Sequence, residues 1–103
     1  MSKRAGSTDR RTVERVQTGV RIEKRLLLVL KALAGALDLT LGDLIEGIVL
    51  HAFEGKPAFG ADSLAKIAAL REVYGLDLTA TDSHLLIEGK RGRRRRAGEA
   101  DRA

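Results

Sequence analysis

The sequence of 103 residues contains no cysteine and no tryptophan, and it has only one proline. Without cysteine it can form neither a disulfide framework nor a cysteine-based zinc site, and nothing indicates secretion. Aromatic residues make up only 3% of the chain, so leucine and alanine supply most of the 44% apolar content, and both favour helices. No apolar run approaches the ~20 residues that a membrane-spanning helix needs. We therefore expect one small, soluble, cytoplasmic protein that needs a partner to bury enough surface.

Positive charge is concentrated at the two ends of the chain. Residues 1–15 contain five basic and two acidic side chains, and residues 90–103 contain seven basic and two acidic ones. Residues 16–89 contain seven basic and ten acidic side chains. The composition of the ends predicts disordered basic arms at 1–14 and 90–103. Basic arms commonly neutralise nucleic-acid phosphates, and a purely solubilising tail is the alternative.

Residues 16–22 alternate between two faces with a period of two. One face contains Val16, Thr18, Val20 and Ile22, and the other contains Gln17, Gly19 and Arg21. This alternation predicts a short, half-buried β-strand. The backbone groups of a lone strand need a partner, and the chain offers no second convincing strand. We therefore expect the same strand of a second copy to pair with it about a two-fold axis.

Helical periodicity follows this strand. The leucine spacing predicts a first helix over 23–37. Thr40 and Asp43 form a variant of the capping box, which predicts that a second helix starts there and ends before Gly55. A third helix is predicted from about 62 to 74. Residues 80–88 favour a short fourth helix or, at 84–87, a strand.

One strand followed by two helices within residues 15–54 resembles the ribbon-helix-helix family of DNA-binding proteins, which includes the Arc and Met repressors. Three features carry the resemblance, namely the outward face Gln17-x-Gly19-x-Arg21, the leucine stripe that follows it, and the turn Asp38-Leu39-Thr40. The resemblance implies a mainly α fold with one short β-strand, an intertwined homodimer, and paired strands inserted into the major groove of double-stranded DNA. Gly19 departs from the family pattern, because a polar side chain is usual there, and Asp38 replaces the common glycine.

The resemblance also implies the site residues. Base contacts would come from Gln17, Gly19 and Arg21, where the arginine fork could pair with guanine and the glutamine with adenine. Free N–H groups at the start of the second helix would hold a phosphate. The full set of implied backbone contacts is Arg15, Lys24, Arg25, Thr40, Leu41 and Gly42. The alternative interpretation is a solvated polar face and a cap that serves only stability.

These features predict a sequence-specific DNA-binding dimer that acts as a transcriptional repressor, with higher oligomers along the DNA as a further option. Residues 15–55 would form the DNA-binding and dimerisation domain, and residues 56–89 a helical extension. One alternative is an antitoxin-type protein that clasps a partner protein through residues 61–89. Another is a non-specific nucleic-acid binder driven by its arms. We expect no enzyme, metal or cofactor, because the only histidines, His51 and His84, are far apart in sequence and have no placed acid beside them.

Overall fold

The structure is a computed structural model, and it describes residues 10–89. This part of the chain contains three α-helices, namely α1 (Lys24–Ala36), α2 (Leu41–Phe53) and α3 (Ala61–Tyr74), followed by a 3₁₀ turn at Ala80–Asp82. The three main predicted helices are therefore present, with bounds close to those that the sequence predicts. The predicted arm at 90–103, and residues 1–9 of the predicted arm at 1–14, lie outside the described residues.

The prediction of a β-strand at 16–22 is wrong, and so is the ribbon-helix-helix fold with its intertwined, strand-paired dimer. Residues 10–89 contain helices and a 3₁₀ turn but no strand. Every residue from 10 to 22 lacks regular secondary structure and is exposed. The side chains of the predicted inner face are not buried, since Val16 is 79% and Val20 73% exposed. A strand exists only where its backbone pairs with a neighbour, and alternating side chains alone do not supply that neighbour.

The core of the described chain is built around α1. Within residues 10–89, α2 and α3 each pack against α1, and the backbones of α2 and α3 do not come close to each other. Leu33 and Ala34 of α1 form a buried cluster with Leu44 of α2. Partly buried side chains surround this cluster: Leu30, Leu37, Ile48, Phe59, Ile67 and Leu70.

The buried face of α1 is displaced from the predicted leucine stripe. Val29, which lies off that stripe, is buried, whereas Leu26, which belongs to it, is 36% exposed. The reason is that α1 packs against two helices instead of one. The apolar surface of α1 is therefore wider than a single stripe, and Val29 is buried by other residues of the same chain.

Local capping determines where the first two helices meet. Asp38 adopts the left-handed region with φ of 61°, which aspartate tolerates better than most residues. The Thr40 hydroxyl accepts a hydrogen bond from the Asp43 N–H at 3.0 Å, as the sequence predicts. The Asp43 carboxylate contacts Arg15 instead of completing a capping box. At the other end of α1, the Glu23 carboxylate accepts from the Leu26 N–H at 2.9 Å, and this bond holds the pKa of Glu23 below its usual value.

The chain after α3 folds back and then loses regular structure. α3 ends at Gly75, whose φ of 65° is left-handed, and Leu76 is buried. The guanidinium of Arg71 donates to the Leu78 carbonyl oxygen at 2.8 Å. The Thr79 N–H donates to the Asp82 carboxylate at 2.8 Å, and a reciprocal capping box forms there. The predicted helix over 80–88 is thus reduced to a single turn, and the alternative strand at 84–87 does not form in the described chain.

Candidate nucleic-acid interface

The most positive part of the described chain is residues 10–25, which we call the cationic segment. It contains two acidic side chains and six basic ones, namely Arg10, Arg11, Arg15, Arg21, Lys24 and Arg25. Residues 26–89 contain four basic and nine acidic side chains. Because residues 10–22 are exposed throughout, the structure presents a solvent-facing cationic segment beside an acidic helical body.

Arg15 joins the cationic segment to the first turns of α2. Its Nε donates to Glu46 Oε2 at 2.9 Å and its Nη2 donates to Glu46 Oε1 at 2.8 Å. Nη2 also lies 3.4 Å from Asp43 Oδ1. The fork-on-carboxylate hydrogen bonds raise the pKa of Arg15 above its usual range and lower the pKa of Glu46. Both groups are therefore charged at neutral pH, and two parallel N–H···O bonds fix their geometry.

Arg21 makes a second fork contact, with Glu88 near the end of the described chain. Its Nε donates to Glu88 Oε1 at 3.2 Å, and its Nη2 contacts Glu88 Oε2. Gln17 and Gly19 are exposed in the same segment. A Cβ built on Gly19 would meet no atom within 4 Å among the described residues, so Gly19 is not required there by close packing. The base contacts that the sequence predicts for these three residues remain predictions.

Arg25 forms hydrogen bonds that the sequence did not predict. Its Nε donates to Glu23 Oε2 at 3.0 Å, and its Nη1 donates to both the Gly75 carbonyl oxygen and Asp77 Oδ1 at 3.0 Å. The hydrogen bond that Arg25 donates to Glu23 is the largest of the contacts that raise the pKa of Arg25. Arg25 thus links the start of α1 to the chain after α3, whereas its neighbour Lys24 is exposed. No local pattern could have revealed partners about 50 residues away.

The start of α2 is where several predicted phosphate contacts meet. Thr40 and Gly42 are exposed and Leu41 is half-buried. The first N–H groups of a helix have no partner within the helix and form its positive end. Here the Arg15 guanidinium lies beside that end, together with the carboxylates of Asp43 and Glu46. Of the other predicted contacts, Arg21 lies near residue 88 and Arg25 near residues 75–77, so the structure divides the predicted site among three places.

His51 Nδ1 lies 2.7 Å from the Gly47 carbonyl oxygen, one helical turn earlier. Residues 10–89 hold no group of three side chains that could bind a metal ion. Within the same part of the chain, none of the helices has the length and apolar character needed to cross a bilayer.

Comparisons with protein-family models, with curated proteins and with solved structures found no match to this chain.

Proposed function

We propose that the protein binds double-stranded DNA and regulates transcription, with the cationic segment and the two basic arms contacting backbone phosphates. The observation that carries this proposal is the exposed cationic segment beside an acidic body. Residues 1–9 and 90–103 add nine basic side chains against three acidic ones. Neutralisation of phosphates by lysine and arginine supplies most of the sequence-independent affinity for DNA. Repression follows when the bound site overlaps a promoter, because the bound protein blocks polymerase.

Sequence preference would come from a small number of side chains. Gln17 is exposed and Arg21 is mostly exposed, and both can form two hydrogen bonds with a base edge. Gly19 has no side chain with which to read a base. Phosphate contacts position a protein without specifying sequence, so we expect modest discrimination on top of a large electrostatic affinity.

Duplex binding by the full chain is expected to be strong at low salt and steeply salt-dependent. If six or more phosphates are neutralised, the affinity should fall by at least about 10³-fold between about 50 and 200 mM salt. Fluorescence anisotropy of a labelled duplex measures this slope. Selection of bound duplexes from a random pool at both salt concentrations then separates the two forms of the proposal. An enriched palindrome supports sequence-specific regulation, and an unenriched pool supports non-specific binding. Failure to bind duplex at the lower salt concentration would refute the proposed function.

We also propose that the DNA-binding form is a homodimer in which the C-terminal half of α2 packs against the same helix of a second copy. Val49, Leu50 and Phe53 are exposed on this half of α2, and Phe53 is 80% exposed. Fourteen large apolar side chains of the described residues are exposed and only five apolar residues are buried. The described chain therefore leaves many of its large apolar side chains exposed to water, which favours self-association.

Phe53→Glu is expected to convert the dimer into a monomer. A charged group would have to be buried without a partner at the centre of the proposed interface, and this weakens association by at least about tenfold. Sedimentation equilibrium measures the dissociation constant. Val73→Glu, at an exposed apolar position on α3, is the matched control and should leave association unchanged. A wild-type chain that sediments as a monomer at high concentration would contradict the homodimer.

A second candidate function is that of an antitoxin-type protein that holds a partner protein through residues 61–89. The observation that favours it is the run Leu85, Leu86 and Ile87, of which Ile87 is 83% exposed. These residues follow the 3₁₀ turn and have no regular secondary structure. Capture of a stoichiometric partner that is lost on Ile87→Asp would favour this candidate over DNA regulation alone.

A further inference from the structure

Two arginines of the cationic segment are held by carboxylates in the geometry that a phosphate would need. In Arg15, Nε and Nη2 donate to the two oxygens of Glu46. In Arg21, the same two nitrogens contact the two oxygens of Glu88. A guanidinium uses this planar fork for carboxylates and phosphates alike. The carboxylate of Glu46 or Glu88 therefore occupies the edge of the arginine that would bind a backbone phosphate.

We propose that Glu46 and Glu88 act as internal phosphate mimics that hold Arg15 and Arg21 against the helical body and reduce the affinity of the free protein for nucleic acid. This inference rests on the proposed function. Nucleic acid must exchange each carboxylate for a phosphate before these arginines can contribute to binding. The exchange releases the cationic segment from α2 at Arg15 and from Glu88 at Arg21.

The solvent exposure of the two contacts makes such an exchange feasible. The side chains of Arg15 and Glu46 are 61% and 47% exposed, and those of Arg21 and Glu88 are 82% and 67% exposed. Exposed ion pairs are weak and are screened by salt. They can hold a segment in place and still yield to a duplex that offers many phosphates at once. Asp43, at 3.4 Å from Arg15, adds a second, longer contact on the same guanidinium.

The two ion pairs connect the cationic segment to different parts of the chain. Arg15 and Glu46 are 31 residues apart, and their contact fixes the segment beside the positive end of α2. Arg21 and Glu88 are 67 residues apart, and their contact joins the segment to a residue that lies shortly before position 90. Release of the second pair therefore frees the cationic segment from Glu88.

The test is the affinity of full-length E46Q/E88Q for a labelled duplex at about physiological salt. Each glutamine keeps the size of the side chain but cannot form a charged fork contact. Exposed pairs are typically worth up to about a fivefold change in an equilibrium constant, so the double variant should bind about 2- to 25-fold more tightly than wild type. The matched control is D62N/E72Q, which changes the net charge equally at exposed positions of α3 that take part in no ion pair among the described residues. Its affinity should rise less than about twofold, because distant surface charges are screened.

A second readout follows the arginines themselves. The Nε–H signals of Arg15 and Arg21 in nuclear magnetic resonance spectra should be protected from exchange with water in the wild-type chain. They should lose this protection in E46Q/E88Q, and the wild-type signals should shift when duplex is added. Equal affinity gains in E46Q/E88Q and D62N/E72Q, with wild type binding duplex, would overturn the mimicry while leaving the proposed function intact. Absence of duplex binding in every variant would overturn the proposed function as well.

Discussion

Leu33→Ala is expected to lower the free energy of unfolding by about 2–5 kcal/mol, because it removes the side chain at the centre of the core and leaves a cavity. Leu33 is 2% exposed and is the largest fully buried side chain of the described residues. It packs in the cluster that joins α1 to α2. A small domain has a total stability of only about 5–15 kcal/mol, so this loss would be a large part of the total. Urea denaturation followed by circular dichroism measures the change.

Leu64→Ala provides the matched control for this measurement. It removes the same atoms from α3, but Leu64 is 53% exposed. We expect a change within about 0.5 kcal/mol, as for most surface substitutions. Both variants should be compared at one protein concentration, because dimer formation makes stability depend on concentration. Equal losses in the two variants would mean that Leu33 does not lie at the centre of the core.

Neutralising the basic run of the C-terminal arm is expected to weaken duplex binding by one or more orders of magnitude. The variant replaces five arginines by glutamine in the full chain, namely Arg91, Arg93, Arg94, Arg95 and Arg96. Each lost phosphate contact lowers the slope of log affinity against log salt by about 0.9. Anisotropy titrations at several salt concentrations give both the affinity and this slope.

Lysine at the same five positions separates charge from arginine-specific contacts. The lysine variant keeps every positive charge but has no planar fork. If the arm acts by phosphate neutralisation, the lysine variant should retain nearly all of the affinity and the salt slope. A wild-type slope in the glutamine variant would exclude the arm from the interface.

Helices were predictable from the sequence because their signals are local. Thr40 and Gly75 mark a helix start and a helix end within one turn of the residues that they cap. Asp38 could also be assigned to left-handed geometry from its residue type and its place between two helices. The face of α1 was harder to predict. Whether Val29 is buried depends on which parts of the chain pack against α1, and the periodicity of α1 does not record them.

The strand prediction was wrong and the ion pairs were missed because both depend on residues that are distant in the sequence. Alternation over 16–22 describes which side chains share a face, but a strand depends on a distant backbone that the pattern does not contain. Likewise, Arg15 and Arg21 were expected to face DNA, and the sequence gave no sign of Glu46 or Glu88, because charged side chains pair without any periodic signature. The candidate site was therefore located by charge, while its internal contacts required the structure.

The arrangement of the helices also bears on how the chain folds. α1 is the only helix of the described residues that touches both others, and α2 follows it after a short turn. The α1–α2 pair can therefore form before α3 arrives, with little loop entropy to overcome. Since α3 packs more extensively on α1 than α2 does, α2 can also detach while the α1–α3 pair stays assembled, which predicts earlier amide hydrogen exchange in α2 than in α3.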